Sequence, residues 1–571
     1  MKILQSGGLR ARFAALAFLS LLPFALPAAT PPASDAVRVE KRGEFEFRVA
    51  PAPDWVVERD VPATWDAKAP GTDERSWRYW LLDAQVDRRG TRRGWYDQAF
   101  EPVSPELVSD AARYEIPFVP EYQRMTLHRV AVRRDGKWSD RLVPASITLA
   151  RRETEFESDM ATGEVAALVV IEDVRAGDVV RVSYSLEGSN PVLAGMTNEH
   201  FGFGWTSPIL DRTLRVLFPA GTQVASRNER GAPAATVRRE GDHVLVSAAA
   251  HGAAAIEDDG EYPAWYSPWP MLQVGEQRTW ADVARWARKI YPAPEPLPAE
   301  LATRLVEWRK LPREAGALAA LRAVQEEVRY FGAELGENTH RPSQPAETWR
   351  RRYGDCKDKA LLLATLLREL GYDAEPALVS AGNGRGVRDW LPGGDAFDHV
   401  IVRARDGERT WWLDATQTQQ RGTLDRIDVG DFGVALPVAD GFDALVNVVS
   451  GATSDDKRVT ERWQPGADGR TVELTVTTTV TGSLADDMRR ELSTGGREAL
   501  EKRYADYYRR AFGDLEVIGK LESSDDEHAN RIEVVERYRL LKPWAAESSE
   551  ERAIDVFADS IGDDVQLPRA T

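Results

Sequence analysis

Tyr353-Gly354-Asp355-Cys356-Lys357-Asp358-Lys359-Ala360, continuing through the leucine-rich run Leu361 to Leu370 and into Gly371, decides how the centre of this chain folds. Cys356, Ala360, Leu363 and Leu367 recur at i, i+4, i+7 and i+11, which sets them on one face of a helix. Asp355 stands where an N-cap is expected and Gly371 where a helix stops. Cys356 then falls in the first helical turn, where unpaired backbone N–H groups and the helix dipole favour an anion. It is the only cysteine in 571 residues. A lone cysteine is by default a small buried hydrophobe, so its neighbours must argue for chemistry.

The magnitudes say what a reactive thiol needs. A free thiol of pKa ~8.5 is only ~3% thiolate at pH 7, and two units of lowering correspond to ~2.7 kcal/mol. A helix N-terminus supplies ~0.3–1 kcal/mol, so a cationic partner is required. Lys357 and Lys359 are near in sequence, but Lys357 is expected to project away from the sulfur. A histidine suits better, because it can take the thiol proton and later give it to a leaving amine. Downstream, Phe397-Asp398-His399-Val400-Ile401-Val402 reads as the start of a strand, and Arg409 to Thr416 as the next, with Asp414 near its end. A turn near Asp406-Gly407 would pair the two strands and set His399 close to opposite Asp414, which could hold the imidazole tautomer.

These motifs resemble the transglutaminase-like superfamily of papain-like thiol enzymes: Gly354-Asp355-Cys356 opening a helix, Asp398-His399 opening a strand, and Trp412-Leu413-Asp414-Ala415-Thr416 closing one. The nearest resemblance is to a bacterial exported family in which such a domain follows an N-terminal β-sandwich domain of unknown function. Gly354 to Ala360 and the preceding Arg329-Tyr330 are typical of it. The resemblance implies Cys356 as nucleophile, His399 as general base and acid, and Asp414 as orienting carboxylate. It implies acyl transfer or hydrolysis at amide bonds of a protein, peptide or cell-wall peptide. The oxyanion donor would be the Cys356 N–H with an upstream group, and Tyr330, Asn338, His340 and Gln344 all stay open.

Outward from this centre the periodicity changes. Residues 280–440, with helical patterns over Ala281–Tyr291, Pro298–Lys310 and Arg313–Val328, form the expected transglutaminase-like α+β domain. Residues 37–275 alternate with period two, as in Val180, Val182, Tyr184 and Leu186, and predict an N-terminal β-sandwich. Residues 450–571 return to strands around a helical insert from Leu484 to Phe512, giving a C-terminal β-rich domain that ends in an acidic, weakly patterned tail. The whole is a multidomain α+β protein. Residues 1–29, with Lys2, Arg10 and Arg12 before an apolar run, read as a signal peptide and predict a periplasmic protein with no stable membrane span after cleavage.

Composition narrows the function. The formal charge is −17, with 43% hydrophobic and 29% charged residues, and the basic residues are scattered, which excludes nucleic acid as main partner. His128, His200, His243 and His251 lack metal-ligand spacing, and there is no His-Glu-x-x-His segment, so no metal or cofactor is expected. The rival reading is a catalytically inactive peptide- or glycan-binding scaffold, for which the 18 tryptophans would serve. The oligomeric state is not encoded in any pattern of the chain.

Overall fold

The computed structural model describes residues 37–65, 77–152, 160–257, 262–263, 265–293, 295–333, 336–450, 456–544, 546–547 and 552–554. The expected signal peptide, and most of the acidic C-terminal tail, lie outside the described residues. Among those described, no helix is long and apolar enough to cross a membrane.

The alternating N-terminal segments do form strands, but they build two sandwiches where one was expected. A single ten-stranded sheet runs in the order Arg38–Arg42, Phe45–Val49, Arg124–Arg134, Val179–Glu187, Arg93–Pro102, Trp77–Asp87, Ile209–Pro219, His243–Ala253, Thr236–Glu240, with Lys137–Asp140 beside Arg124–Arg134. One half is covered by a three-stranded sheet of Arg113–Phe118, Val165–Val170 and Thr148–Arg151, and the other by Glu199–Gly202, Met271–Glu276 and Val224–Glu229. Each pairing encloses its own core: Ile116, Leu127, Val165, Val169 and Val180 in the first; Phe201, Val216, Phe218 and Val274 in the second. The join is the parallel pairing of Trp77–Asp87 with Ile209–Pro219. So remote a pairing leaves no mark on local periodicity.

The central domain is built around the helix Cys356–Glu369. Every residue from Cys356 to Leu367 except Thr365 is buried, the pattern of a helix enclosed on all sides. It packs against Asp373–Val379 and His399–Asp406 of an antiparallel five-stranded sheet, ordered Arg409–Leu413, His399–Asp406, Asp373–Val379, Val434–Pro437, Val446–Asn447. Helices Trp280–Ile290, Ala299–Trp308 and Arg313–Glu327 add Val283, Leu301, Leu305, Leu321 and Val324 to the same core. The first begins with a capping box, Thr279 and Asp282 each bonding the other's backbone.

The two regions share this core. Val192 of the N-terminal region is buried within it, and its carbonyl accepts from the Trp286 indole at 2.9 Å. Met160–Ala161 pairs with Gly332–Ala333, and Asn190 donates to Gly336 O and Thr339 Oγ1 at 3.2 and 2.7 Å. The C-terminal region is an antiparallel sheet of Lys457–Pro465, Val472–Thr481, Arg531–Leu540 and Leu515–Val517, with Glu522–Asp526 also paired to Arg531–Leu540. Its insert is two helices, Ser483–Thr494 and Gly496–Phe512, and Tyr508 of the second is buried in the core.

Candidate active site

The cysteine helix starts where its sequence says it should. Asp355 has extended backbone and its carboxylate accepts from Asp358 N, making Cys356 the first helical residue. At the far end Gly371, at φ +87°, donates to Arg368 O while Tyr372 donates to Leu367 O, the double bond of a glycine C-cap. The sulfur-bearing residue is 7% exposed.

His399 opens its strand, as expected, and is held from both sides. Its backbone pairs with Val379, and the preceding Asp398 accepts from Ala381 N and Ser380 Oγ at 2.6 and 3.1 Å, tying the approach loop down. The Phe432 ring stacks on the imidazole, centroids 5.6 Å apart and planes at 26°. The hairpin register differs from direct opposition. Ladder pairing ends at Val402 with Leu413, so Asp414 leaves the strand level with Ile401, two residues along the same face from His399. The diagonal is short enough: His399 Nε2 lies 3.0 Å from Asp414 Oδ2.

Asp414 is 1% exposed. Its other oxygen accepts from Thr416 N at 2.8 Å and Thr416 Oγ1 at 2.7 Å. Burial pushes this carboxyl up, but the His399 charge and the bonds from His399 and Thr416 outweigh it and hold the group below the usual carboxylate range. Burial likewise pushes His399 down; Asp414, and then hydrogen bonding and charge interaction with Cys356, outweigh that and lift the imidazole well above its ordinary value. With Nε2 given to Asp414, Nδ1 is the ring atom left for the sulfur. The structure thus brings all three sequence-predicted residues together: the imidazole bonds the carboxylate and interacts electrostatically with the thiol.

A layer of buried charge supports the helix start. The Lys357 ammonium pairs with Asp355 Oδ2. Asp358 accepts from Ser343 N and Arg351 Nη2, each at 2.7 Å. Lys359 is wholly buried, donates to Val328 O at 2.6 Å, and is lowered to about 8 by burial against the opposing pull of Asp414.

The four open oxyanion candidates separate. The Tyr330 hydroxyl contacts Met160 Sδ at 3.7 Å, Asn338 is exposed, and Gln344 Nε2 donates to Ala293 O at 3.1 Å. His340 lies against Trp286 and is lowered to about 4 by burial and then by the Lys357 charge. A residue that sequence reasoning passed over is Tyr291, the C-cap of helix Trp280–Ile290. Its hydroxyl is buried with no hydrogen-bond partner among the described residues, and burial, then the Cys356 charge, push it well up. Its only sequence signal was an aromatic residue at a helix end. Among the described residues no three His, Cys, Asp or Glu side chains gather as metal ligands would.

Comparison with known proteins adds a fold-level frame. Residues 88–257 match DUF3857, a domain of unknown function. No curated protein matches the chain. A protein from Parabacteroides distasonis ATCC 8503, provisionally described as a protease, is similar over 82% of this chain and 93% of its own, with TM-score 0.51 and 14% identity. At that identity the likeness is one of fold. A provisionally described cysteine protease from Cytophaga hutchinsonii aligns over 38% of this chain and 75% of its own at TM-score 0.16 and 13% identity. An M1 zinc metallopeptidase from Deinococcus radiodurans aligns over 52% and 64% at TM-score 0.20 and 12% identity. Similarity as slight as these last two carries no argument.

Proposed function

We propose that this protein is an exported thiol acyltransferase or hydrolase of the transglutaminase-like kind, acting on amide bonds of a protein or peptide substrate. The observation that carries the reading is the His399 imidazole, bonded to Asp414 on one side and interacting with Cys356 at a helix N-terminus on the other. The same three groups in the same relation perform acyl transfer on unrelated scaffolds.

In the first half-reaction the Cys356 proton passes to His399 and the sulfur adds to the amide carbonyl carbon. The oxyanion that forms is met by backbone N–H groups, of which the one on Cys356 is left without an acceptor inside the helix. When the C–N bond breaks, His399 gives its proton to the departing amine and an acyl thioester remains on Cys356. Water or an amine then loses a proton to His399, attacks the thioester, and the sulfur leaves as the protonated ring returns its proton. Throughout, Asp414 fixes the ring and balances its positive charge.

A fold shared with a provisionally described protease is consistent with hydrolysis as the second half-reaction. The leading segment of the chain supports export to the periplasm, which places cell-wall peptide and periplasmic protein among the substrates to try first. A thiol-directed electrophile should label wild-type protein and leave Cys356→Ala unlabelled, and peptide turnover should vanish in the same variant. Equal turnover by wild type and Cys356→Ala would end the reading.

A further inference from the structure

Between Ala253 and Met271 the N-terminal region carries Tyr262-Pro263 and Trp265-Tyr266-Ser267-Pro268-Trp269-Pro270. Such a run has no strand or helix period. Its own domain holds it through Arg230, whose guanidinium lies 4.0 Å over the Tyr266 ring, and within the run Tyr262 stacks on Tyr266 at 5.1 Å.

Its far side is seated on the catalytic domain. The Arg385 guanidinium lies 3.9 Å over the Trp265 ring. A Cβ on Gly386 would stand 2.7 Å from Trp265 O, so the two backbones approach closer than any side chain allows. Arg385 in turn is packed against Gly433: a Cβ there would fall 2.4 Å from Arg385 Cβ and 2.8 Å from Arg385 N. Gly433 follows Phe432, and Phe432 is the ring that stacks on His399. Contact therefore runs unbroken from Trp265 through Arg385 and Gly433 to Phe432 and the imidazole, and the approach of Arg385 to Gly433 is a backbone contact with little room to yield.

We propose that Trp265 is a positioning residue of the active site: the N-terminal domain clamps the Arg385 and Phe432 loops and so sets the attitude of the His399 ring. The inference rests on the thiol–imidazole reading above. The groups that face His399 are Asp414 and Cys356, with Lys359 acting on Asp414; none belongs to the clamp, so its effect is one of geometry.

The test is the rate at which iodoacetamide alkylates Cys356 in the full chain as a function of pH, compared among wild type, His399→Gln, Trp265→Ala, Trp265→Phe and Arg385→Ala. Trp265→Ala should lower the rate near neutral pH on the order of tenfold and reshape the profile, since small misplacements of a reacting group are costly. Trp265→Phe, which keeps a ring under Arg385, should recover most of it. If Trp265→Ala fails to fold, Arg385→Ala breaks the same chain of contacts from the catalytic side and should show the same loss. A folded Trp265→Ala or Arg385→Ala protein with the wild-type profile overturns the clamp, provided His399→Gln alters it. A His399→Gln protein with the wild-type profile overturns the thiol–imidazole reading itself, and the clamp with it.

Discussion

Replacing Asp414 by Asn should impair the site while barely changing its shape. Thr416 N and Thr416 Oγ1 both donate to Asp414 Oδ1, at 2.8 and 2.7 Å, so the amide oxygen of the variant is fixed there. Its NH2 group then occupies the place of Oδ2, 3.0 Å from His399 Nε2. An NH2 donates, which requires Nε2 to accept and moves the neutral ring's proton to Nδ1, the ring atom left for the sulfur. A ring protonated there cannot take the thiol proton. Flipping the amide would restore Nε2 but oppose NH2 to both Thr416 donors. A hydrogen bond between charged groups contributes about 1.5–3 kcal/mol. Its loss alone corresponds to about 10- to 150-fold in a rate that needs the charged ring, and the wrong tautomer adds to it. The assay is iodoacetamide alkylation of Cys356 between about pH 5 and 8, with circular dichroism to show that the variant folds. A folded Asp414→Asn protein alkylated within about twofold of wild type throughout that range would refute the role given to the carboxylate.

Thr416→Val keeps shape but removes one donor to a buried carboxylate, and should cost about 1.5–3 kcal/mol in urea unfolding. The His399–Asp414 contact should also make stability pH-dependent. The contribution of Asp414, whose folded value is depressed, is present above its ordinary 3.8 and lost as pH falls through the lowered value. That of His399, whose folded value is raised, is complete below 6.5 and lost as pH rises through the raised value. The stability gap between wild type and Asp414→Asn should therefore be widest between those ordinary values and shrink on either side, as thermal unfolding across pH would show. His340, lowered to about 4, should keep neutral-imidazole NMR shifts down to about pH 5, whereas His399 should hold the charged form to higher pH than a free imidazole does.

What the sequence made legible was local. Asp355 and Gly371 bracket the cysteine helix because caps act on adjacent backbone, and the leucines between them announce its burial. The histidine hairpin was legible for the same reason, since strand period and a Gly407 turn are short-range signals. Its register was not: the ladder ends at Leu413, so Asp414 reaches His399 on a diagonal. The N-terminal strands were readable one by one, yet nothing local marks that Trp77–Asp87 joins Ile209–Pro219 and fuses two sandwiches. Phe432 and Trp265 were invisible because each lies outside any periodic run, and Tyr291 because it merely closes one; each gains its meaning only from a partner remote in sequence. Lys359 stood out only as a lysine near the cysteine in sequence, and only the enclosure of that helix by the sheet buries it.

If the thiol is the nucleophile, Cys356 carries an acyl group during turnover. Intact-protein mass spectrometry after acid quench, with wild type and Cys356→Ala incubated with a periplasmic peptide pool, measures it. Wild type should carry an adduct with the mass of an acyl fragment, released by hydroxylamine as a thioester is and missing from Cys356→Ala. Turnover of peptide with no such adduct at any quench time, or an adduct that persists in Cys356→Ala, would contradict it.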